Sequence, residues 1–385
     1  MRNLIIGYKR GWNKRECLTR ALKSINQEVD VVTEDFDKIV GPYDRIFTVA
    51  ESLLPIQAEL EQLYGLTNLT PEAAEILSDK KKMDDFCIDI GLKEFIPDSV
   101  IPTLPEDLDI FKDRPFIMKP TIGSGIKHQG NIDYVSFNNK KDFLLSIDSS
   151  FFTKNKKGFR DEKFNNRLNR YMAQEQLELE AEIWGPYYYG TKCLFWSKSK
   201  IRFVKIDEYS YEVKPLEWMS VPTSEVPVVV QDKCTYFMNK MIEKLKIKNM
   251  FFSGPDFYKW GSDLKMIDAN PRIGQGLQIL DDIHNNKVIS NILLGIPMTF
   301  KKHYLWSIAT LKPGKIKSVK DLSHLKDYLV KTNWKIKPGM EIPEFQHLVM
   351  GGFRQAFIVE GTNESDMRKI YQTINNQLQE CIEYF

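Results

Sequence analysis

Cysteine is scarce in this sequence, and its few residues are not arranged in pairs. The 385 residues include five cysteines, which lie far apart and show no CxxC spacing. A disulfide framework needs an even and dense set of cysteines, and the common zinc sites need close pairs. The pattern excludes both kinds of site and predicts reduced thiols, as in a cytosol.

The sequence also lacks an excess of one charge and a long apolar run. The net charge is only +2, so no overall field favours nucleic acid or a membrane as partner. No segment approaches the roughly 20 apolar residues that span a bilayer. The N-terminus MRNLIIGYKRGW has an apolar run of four residues, which is too short for a signal peptide. We therefore expect a cytoplasmic protein that binds neither nucleic acid nor membrane.

Two common nucleotide-binding loops are missing as well. The first predicted strand, residues 3–7, is not followed by the GxGxxG of a dinucleotide site. The glycines at 123 and 125 lack the GxxxxGK[ST] spacing of a Walker A loop. The sequence therefore lacks both of these phosphate-binding motifs, but other kinds of phosphate-binding loop remain open.

What is present predicts a globular protein with more than one domain. At 385 residues the chain exceeds a single simple core, and its hydrophobic content of 42% is ordinary for a folded protein. Alternating strand and helix patterns over residues 1–75 predict a small parallel α/β unit. Residues from 304 onward predict a small α+β unit. The elements predicted between them are helical residues at 71–90, strands at 95–101, 115–119, 171–184 and 192–206 (the last broken by a turn at 197–199), a loop flowing into a helix at 148–170, a helix at 231–247, a hairpin at 251–270 and a helix near 283–294.

The predicted hairpin FFSGPDFYKWGSDLKMIDANPR carries a group of oxygen ligands. If residues 261–263 form a three-residue turn, Asp256 faces Asp268 across the pair. Two facing carboxylates repel each other unless a cation lies between them, and Mg²⁺ prefers oxygen ligands. Asn270 lies on the same strand face as Asp268 and would add an amide oxygen. A two-residue turn would separate the acids, and a hairpin with solvent-facing aspartates fits the same pattern.

Two further stretches suggest a nucleotide. In PFIMKPTIGSG a strand leads to Lys119, and the glycines after it allow backbone N–H groups to approach a phosphate. In YMAQEQLELEAE an acidic strand edge borders apolar residues and could accept hydrogen bonds from adenine and ribose. A glycine hairpin with a surface lysine, and an exposed strand face, remain the alternatives. The pair Asp79-Lys80 within the helical stretch indicates nothing by itself.

Taken in this order, the motifs resemble the ATP-grasp superfamily over about residues 1–300. An Asp-Lys helix precedes a strand with lysine and a Gly/Ser loop, then a Gln-Glu strand, and last an acid-x₁₁-acid-x-Asn-x-Arg hairpin. The resemblance implies an ATP site whose ligands are the phosphate lysines, the loop over the β- and γ-phosphates, the adenine hinge and the ribose carboxylate. These are Lys80 and Lys119; Gly123, Ser124 and Gly125; Glu175, Gln176 and Leu177; and Glu182, with Glu180 as its competitor.

The resemblance also implies the metal ligands and the catalytic residues. Asp256, Asp268 and Asn270 match the ligands of two Mg²⁺ ions, for which Mn²⁺ can substitute. Arg272 matches the arginine that stabilises the transferred phosphoryl group and orients the acid, acting with Lys119 and Asn270. The sequence departs from the family in having aspartate, more often glutamate, at the second metal position. Its loop is also less glycine-rich than many.

The activity implied is that of a carboxylate–amine ligase. ATP would phosphorylate a carboxylate to an acyl phosphate, an amine would attack it, and ADP and phosphate would leave. The substrates implied are a small carboxylate and an amine, such as an amino acid, held at Arg272, Gly274, Gln275 and Gly276. The C-terminal region is similar to that of the amino-acid ligases, and a homodimer is expected. Two alternatives are a macromolecular or carrier-bound acceptor, docked on the basic segment 154–170, and a nucleotide-binding regulatory protein without turnover.

The fold class expected is α/β (α+β), in a three-part ATP-grasp architecture with an appendix. The expected units are an N-terminal parallel α/β domain at 1–78, a central lid region at 79–190, a catalytic subdomain with a mixed sheet at 191–300, and a small α+β domain at 301–385.

Overall fold

The structure is a computed structural model in which most of the chain is described. The described residues are 1–8, 12–123, 135–161, 167–177, 182–184, 187–188, 196–205, 207–252, 256–258, 264–296, 301–332, 336–344 and 356–385. Ten α-helices lie within these ranges: α1 (Trp12–Ser24), α2 (Leu54–Leu63), α3 (Pro71–Leu77), α4 (Lys80–Asp89), α5 (Lys140–Ser146), α6 (Phe151–Lys157), α7 (Val228–Leu245), α8 (Gln275–Ile283), α9 (Val288–Leu293) and α10 (Glu364–Cys381).

The same ranges contain 22 strands. They are β1 (Arg2–Ile6), β2 (Glu28–Val32), β3 (Arg45–Thr48), β4 (Ser99–Val100), β5 (Phe116–Pro120), β6 (Val135–Phe137), β7 (Phe159–Asp161), β8 (Arg167–Asn169), β9 (Tyr171–Glu175), β10 (Glu182–Trp184), β11 (Tyr187–Tyr188), β12 (Trp196–Lys205), β13 (Ser210–Val221), β14 (Phe251–Phe252), β15 (Asp256–Tyr258), β16 (Lys265–Asp268), β17 (His303–Ile308), β18 (Gly314–Val319), β19 (Lys331–Thr332), β20 (Glu341–Ile342), β21 (Ala356–Gly361) and β22 (Ile382–Tyr384).

The N-terminal region is the parallel unit that the sequence predicts. Its three strands have the order β2-β1-β3, and both pairs are parallel. Central strand β1 is buried over its last four residues, as expected for a parallel strand covered on both faces. Helix α1 connects β1 to β2, which makes a βαβ crossover.

The central and C-terminal regions share one large sheet. Its nine strands follow the order β19-β21-β17-β13-β6-β5-β9-β4, with β12 paired to β13. Strands β17 and β21 come from the predicted C-terminal unit. Strand β17 nevertheless pairs with β13 of the preceding unit, and β21 pairs with β17. The sheet therefore continues across residue 300. Strand β10 lies in a different sheet, with the order β10-β15-β16.

The residues predicted to be helical at 71–90 form two helices, with a break between them that was not predicted. Helix α3 ends at Leu77, and α4 begins at Lys80. Asp79 causes the break because its carboxylate accepts the backbone N–H groups of Lys81 at 3.0 Å and Lys82 at 3.2 Å. An N-cap residue of this kind has extended backbone and starts a new helix. Lys80 is thus a terminal residue of α4.

Two predictions around the lid region are also wrong. Residues 148–170 were expected to be a loop followed by a helix, but α6 comes first and the β7–β8 hairpin follows. Gly158, with φ of 71°, ends α6 in a conformation that favours glycine. No turn interrupts 197–199, because β12 pairs with β13 over its whole length. The irregularity there is a bulge between Lys200 and Ile201.

Three other predicted elements have different extents. The strand expected at 171–184 is two strands, β9 and β10, which belong to different sheets. The strand expected at 95–101 is reduced to β4, after a short 3₁₀ turn at Lys93–Phe95. The helix expected near 283–294 is α8 and α9. They are separated at Asn285 and Asn286, whose φ angles are 56° and 60°, a conformation that ends a helix.

One hydrophobic cluster joins the N-terminal unit to the helices that follow the predicted metal motif. Leu18 and Leu22 of α1 and Phe47 of β3 pack with Leu277 and Leu280 of α8. This contact packs α1 and β3 against residues 273–280. The cysteines within the described residues are buried and not bonded to one another: Cys17, Cys87, Cys234 and Cys381. No described helix combines the length and apolarity needed to cross a membrane.

Candidate active site

Lys80 lies at the beginning of the predicted glycine loop. Its side chain is 6% exposed, and its Nζ donates a hydrogen bond to the carbonyl oxygen of Gly123 at 2.5 Å. Its backbone N–H donates to the carbonyl of Thr121 at 2.8 Å. Gly123 has a φ of 101°, which favours glycine. The N-terminus of α4 and residues 121–123 are therefore held against each other. Ser124 and Gly125 lie outside the described residues.

Lys119 lies on β5, the strand that leads into the glycine loop, and is about as buried as Lys80. Its side chain on β5 is 5% exposed, and its Nζ donates to Oε1 of Gln174 at 2.7 Å. Lys119 is paired with Met172 in β9, so Gln174 is a diagonal neighbour on the same strand face. Sequence reasoning did not select Gln174, although its spacing of two from Gln176 placed both on one face of the strand.

Asp84 is a buried carboxylate that the sequence analysis also missed. It is 1% exposed and accepts a hydrogen bond from Oγ of Ser99 at 2.8 Å. Burial raises the pKa of Asp84 to about 6, and the positive charge of Lys119 opposes this rise. Asp84 follows Lys80 by four residues, a spacing that places both on one face of α4. That spacing was a usable signal.

Residues 175–177, the predicted adenine hinge, leave the end of β9. The backbone N–H of Glu175 donates to Asp98 O at 2.8 Å, and that of Gln176 donates to Pro115 O at 3.0 Å. The carboxylate of Glu175 pairs with Arg114 at 2.5 Å. Oε1 of Gln176 accepts the hydroxyl of Ser136. Leu177 is half-buried. The carboxylate of Glu175 is therefore engaged by Arg114.

The hairpin predicted to hold the metal pairs its two aspartates by an unexpected route. Tyr258 pairs with Lys265, whereas a three-residue turn at 261–263 would pair it with Met266. A bulge at Ile267 then shifts the register by one, and Asp256 pairs with Asp268. The predicted pairing of the acids is therefore present, but the register next to the turn is not the predicted one. The turn residues themselves lie outside the described residues.

The ribose prediction lies next to this hairpin. Strand β10 pairs with β15, which places Glu182 opposite Tyr258 and Trp184 opposite Asp256. Glu182 therefore shares a three-stranded sheet with both aspartates. Glu180 lies outside the described residues.

The donor set of the hairpin fits a hard cation. Asp256 and Asp268 are paired along the backbone, and Asn270 is 8% exposed. Oδ1 of Asn270 accepts Nη2 of Arg272 at 2.9 Å. An amide oxygen has two lone pairs and can accept a second contact. Among the residues whose side chains the structure describes, no group of three His, Cys, Asp or Glu residues could hold a metal ion.

Arg272 forms an ion pair with the N-terminal unit. Its Nη2 lies 2.8 Å from Oε1 of Glu51, and the two side chains are 13% and 10% exposed. Glu51 begins the turn that follows β3. Burial lowers the pKa of Lys14, in α1, to about 7; the charge of Arg272 acts in the same direction and Glu51 opposes it. Sequence reasoning missed Lys14 and Glu51, and no local pattern links them to a residue more than 200 positions away.

The predicted substrate residues after Arg272 begin a helix. Gly274 is the N-cap of α8, and Gln275 and Gly276 are its first two residues. The first N–H groups of a helix have no partner within it, so they are available to an acceptor. The predicted substrate residues Gly274, Gln275 and Gly276 therefore form a helix N-terminus.

Solved structures match this architecture along almost its whole length. An L-amino acid ligase from Bacillus licheniformis has a TM-score of 0.64 and 12% identity, over 100% of this chain and 99% of that one. Phosphoribosylglycinamide synthetase from Anaerococcus prevotii has a TM-score of 0.60 and 15% identity, over 100% and 99%. Carboxyaminoimidazole ribonucleotide synthase from Aspergillus clavatus, complexed with ATP, has 0.59 and 12%, over 98% of each chain.

The chain has the ATP-grasp fold. No family model matches the sequence, and no curated protein matches it either. At such low identities the likeness concerns the fold, and the ligands of the neighbours belong to those proteins.

Within this ATP-grasp fold, the predicted residues form two described groups. Lys80 bonds Gly123 at the start of the glycine loop, and Lys119 lies on β5, the strand that leads into that loop. Glu182, Asp256 and Asp268 lie in one three-stranded sheet, and Asn270 and Arg272 follow it. The residues that sequence reasoning missed complete both groups: Asp84 and Gln174 beside Lys119, and Lys14 and Glu51 beside Arg272.

Proposed function

We propose that the protein is an ATP-dependent carboxylate–amine ligase that forms an amide or peptide bond through an acyl phosphate and releases ADP and phosphate. The observation that carries the proposal is a pair of buried lysines: Lys80 at the carbonyl of Gly123, and Lys119 on the strand that leads to this glycine. Lysine ammonium groups bind phosphate oxygens through charge-assisted hydrogen bonds, and a triphosphate offers several such oxygens. ATP-grasp ligases of similar length and fold support the choice of reaction.

The reaction requires charge neutralisation and alignment more than a covalent nucleophile. Lys80 and Lys119 would hold the phosphates, and Glu182 the ribose. Asp256, Asp268 and Asn270 would hold Mg²⁺, which neutralises phosphate charge when it is bound. Arg272 would orient the acid, since a guanidinium can bind both oxygens of a carboxylate.

The substrate class that fits is an amino acid or a related small acid. Lys14 and Arg272 offer two positive charges beside the single carboxylate of Glu51. An incoming carboxylate would balance the second positive charge. The N-terminus of α8, at Gly274, provides further N–H donors nearby. A zwitterionic amino acid could place its ammonium group near Glu51.

The direct test is an ATP-consumption screen with pairs of amino acids and small acids, followed by mass analysis of the product. We expect phosphate release that depends on a free acid and a free amine, with a product lighter than the two substrates by one water. Phosphate release only with a macromolecular or carrier-bound acceptor would contradict the small-molecule substrate. ATP binding with no turnover across the panel would contradict the ligase activity.

We expect the KM of the acid substrate to rise as the pH increases above about 7. Lys14, whose pKa is about 7 in the free protein, is a cation below that pH and neutral above it. A bound carboxylate favours the cation, so affinity is lost as the free protein loses this proton. Lys14→Met should raise the KM at pH 6.5 by about tenfold and remove this part of the pH dependence. Initial rates between pH 6 and 9 measure both effects.

The matched control is Lys23→Met, which removes an exposed lysine from the last turn of the same helix. This variant should keep the wild-type KM and pH profile. An unchanged KM in Lys14→Met would remove Lys14 from the substrate site.

A further inference from the structure

The start of the glycine loop is held by a buried asparagine that no motif identified. Asn169, at the end of β8, is 1% exposed. Its Oδ1 accepts the backbone N–H of Ile122 at 3.0 Å and the hydroxyl of Thr121 at 3.2 Å. Its Nδ2 donates to the carbonyl of Ile122 at 3.0 Å. One side chain therefore satisfies both backbone groups of Ile122.

The same short segment is held from the opposite side by Lys80. The backbone N–H of Lys80 donates to Thr121 O at 2.8 Å, and its Nζ donates to Gly123 O at 2.5 Å. Residues 121–123 therefore lie between the N-terminus of α4 and the end of β8. A backbone bonded on both sides has little freedom to shift.

Strand β8 also contacts the residues that lead into α4. Arg167 is two residues before Asn169, and Nη1 of Arg167 donates to Oγ of Ser78 at 2.8 Å. Ser78 directly precedes Asp79, the N-cap of α4. Residues two apart on a strand share a face. One face of β8 therefore bonds to the segment that leads into the loop and to the residues that lead into Lys80.

We propose that Asn169 is the positioning residue of the phosphate site: it fixes residues 121–123 against α4, so that the glycine loop begins beside Lys80. Asn169 does not itself touch the nucleotide. It acts through Ile122 and Thr121, by setting where the backbone of the loop starts. This role rests on the proposed function, since it assumes that the loop and Lys80 bind nucleotide phosphate.

The test compares Asn169 with Asn375, which is chemically matched. Asn375 is 7% exposed and bonds the backbone of Thr310 and Tyr371, in the C-terminal part of the chain. Asn169→Ala and Asn375→Ala should both lower resistance to urea. Only Asn169→Ala should weaken MgADP binding, by about tenfold or more, and raise the KM for ATP while the KM of the acid stays unchanged.

Asn169→Asp is the second variant, in case the alanine variant does not fold. It keeps the acceptor oxygen for Ile122 N–H but loses the donor to Ile122 O, so MgADP binding should again be weaker than in wild type. Wild-type affinity in a folded Asn169 variant, or equal weakening in Asn375→Ala, would overturn the positioning role. Failure of the wild-type protein to bind MgADP would overturn the proposed function instead.

Discussion

Replacing Asp268 by asparagine is expected to reduce ADP formation by at least about 100-fold. Asp268 is paired with Asp256 across the β15–β16 hairpin, and both are proposed to hold Mg²⁺. The substitution keeps the size of the side chain but removes one of the charges that bind the ion. Loss of such a contact in the transition state costs about 3 kcal/mol, which corresponds to about 100-fold in rate.

The measurement is steady-state ADP release as a function of Mg²⁺ concentration. A weakened metal site should also need more Mg²⁺ for half-maximal activity. The control is Asp282→Asn in α8, away from the hairpin. This substitution removes a carboxylate that pairs with Arg20 of α1 at 3.2 Å. It should retain activity near that of wild type. Residual activity of Asp268→Asn above about 10% would show that Asp268 is not a metal ligand.

Replacing Lys119 by methionine is expected to lower kcat/KM for ATP by about 100-fold. The lysine is 5% exposed beside Gln174, at the end of the strand that leads into the glycine loop. Methionine fills a similar volume but cannot bind phosphate. The substitution also removes the larger of the two lysine charges that lower the pKa of Asp84, those of Lys119 and Lys81, so the variant should lose stability as well.

The stability loss has a defined pH dependence. Asp84 has a folded-state pKa of about 6, above its ordinary 3.8, so folding favours its protonated form. Its stabilising effect is present at low pH and is lost as the pH rises through the folded pKa. Without Lys119 the folded pKa rises further, so the difference in unfolding free energy from wild type should be larger at pH 8 than at pH 5. Urea unfolding at the two pH values measures it.

A double variant separates binding from stability. Asp84→Asn combined with Lys119→Met removes both charges and should recover much of the stability at pH 8. It should not recover ATP binding. Lys81→Met, in the neighbouring position of α4 where the lysine pairs with Asp85 at 2.5 Å, serves as the control and should bind ATP normally. Recovery of ATP binding in the double variant would show that Lys119 has only a structural role.

Much of the fold and part of the site could be predicted from local pattern. Alternation and helical spacing identified the parallel N-terminal unit and the pairing of β15 with β16, because these patterns depend on neighbouring residues. The predicted hairpin began at residue 251, but β14 pairs with β11. The break at Asp79 was missed, although an aspartate before a helical turn is a local signal for a cap. Asp84 could have been found from its spacing to Lys80.

The contacts that complete the site could not be found in this way. Glu51 and Arg272 are more than 200 residues apart, and they meet because α1 and β3 pack on α8. Asn169 reaches Ile122 across 47 residues, from a hairpin where the sequence predicted a helix. Such contacts depend on how whole helices and strands pack against each other. That packing cannot be predicted from a short stretch of one sequence.

The sequence by itself determined which residues we propose to carry the chemistry, and in what order: two lysines, a glycine loop, an acidic strand, and the Asp, Asn and Arg of the final hairpin. These follow from side-chain chemistry and from spacing along single elements. The tertiary structure alone decided how they are arranged. The bulge at Ile267 brings Asp256 and Asp268 into register, and Glu51 comes to lie beside Arg272. The physical reason is that strand register and domain packing are set by contacts between distant segments, which outweigh local preference.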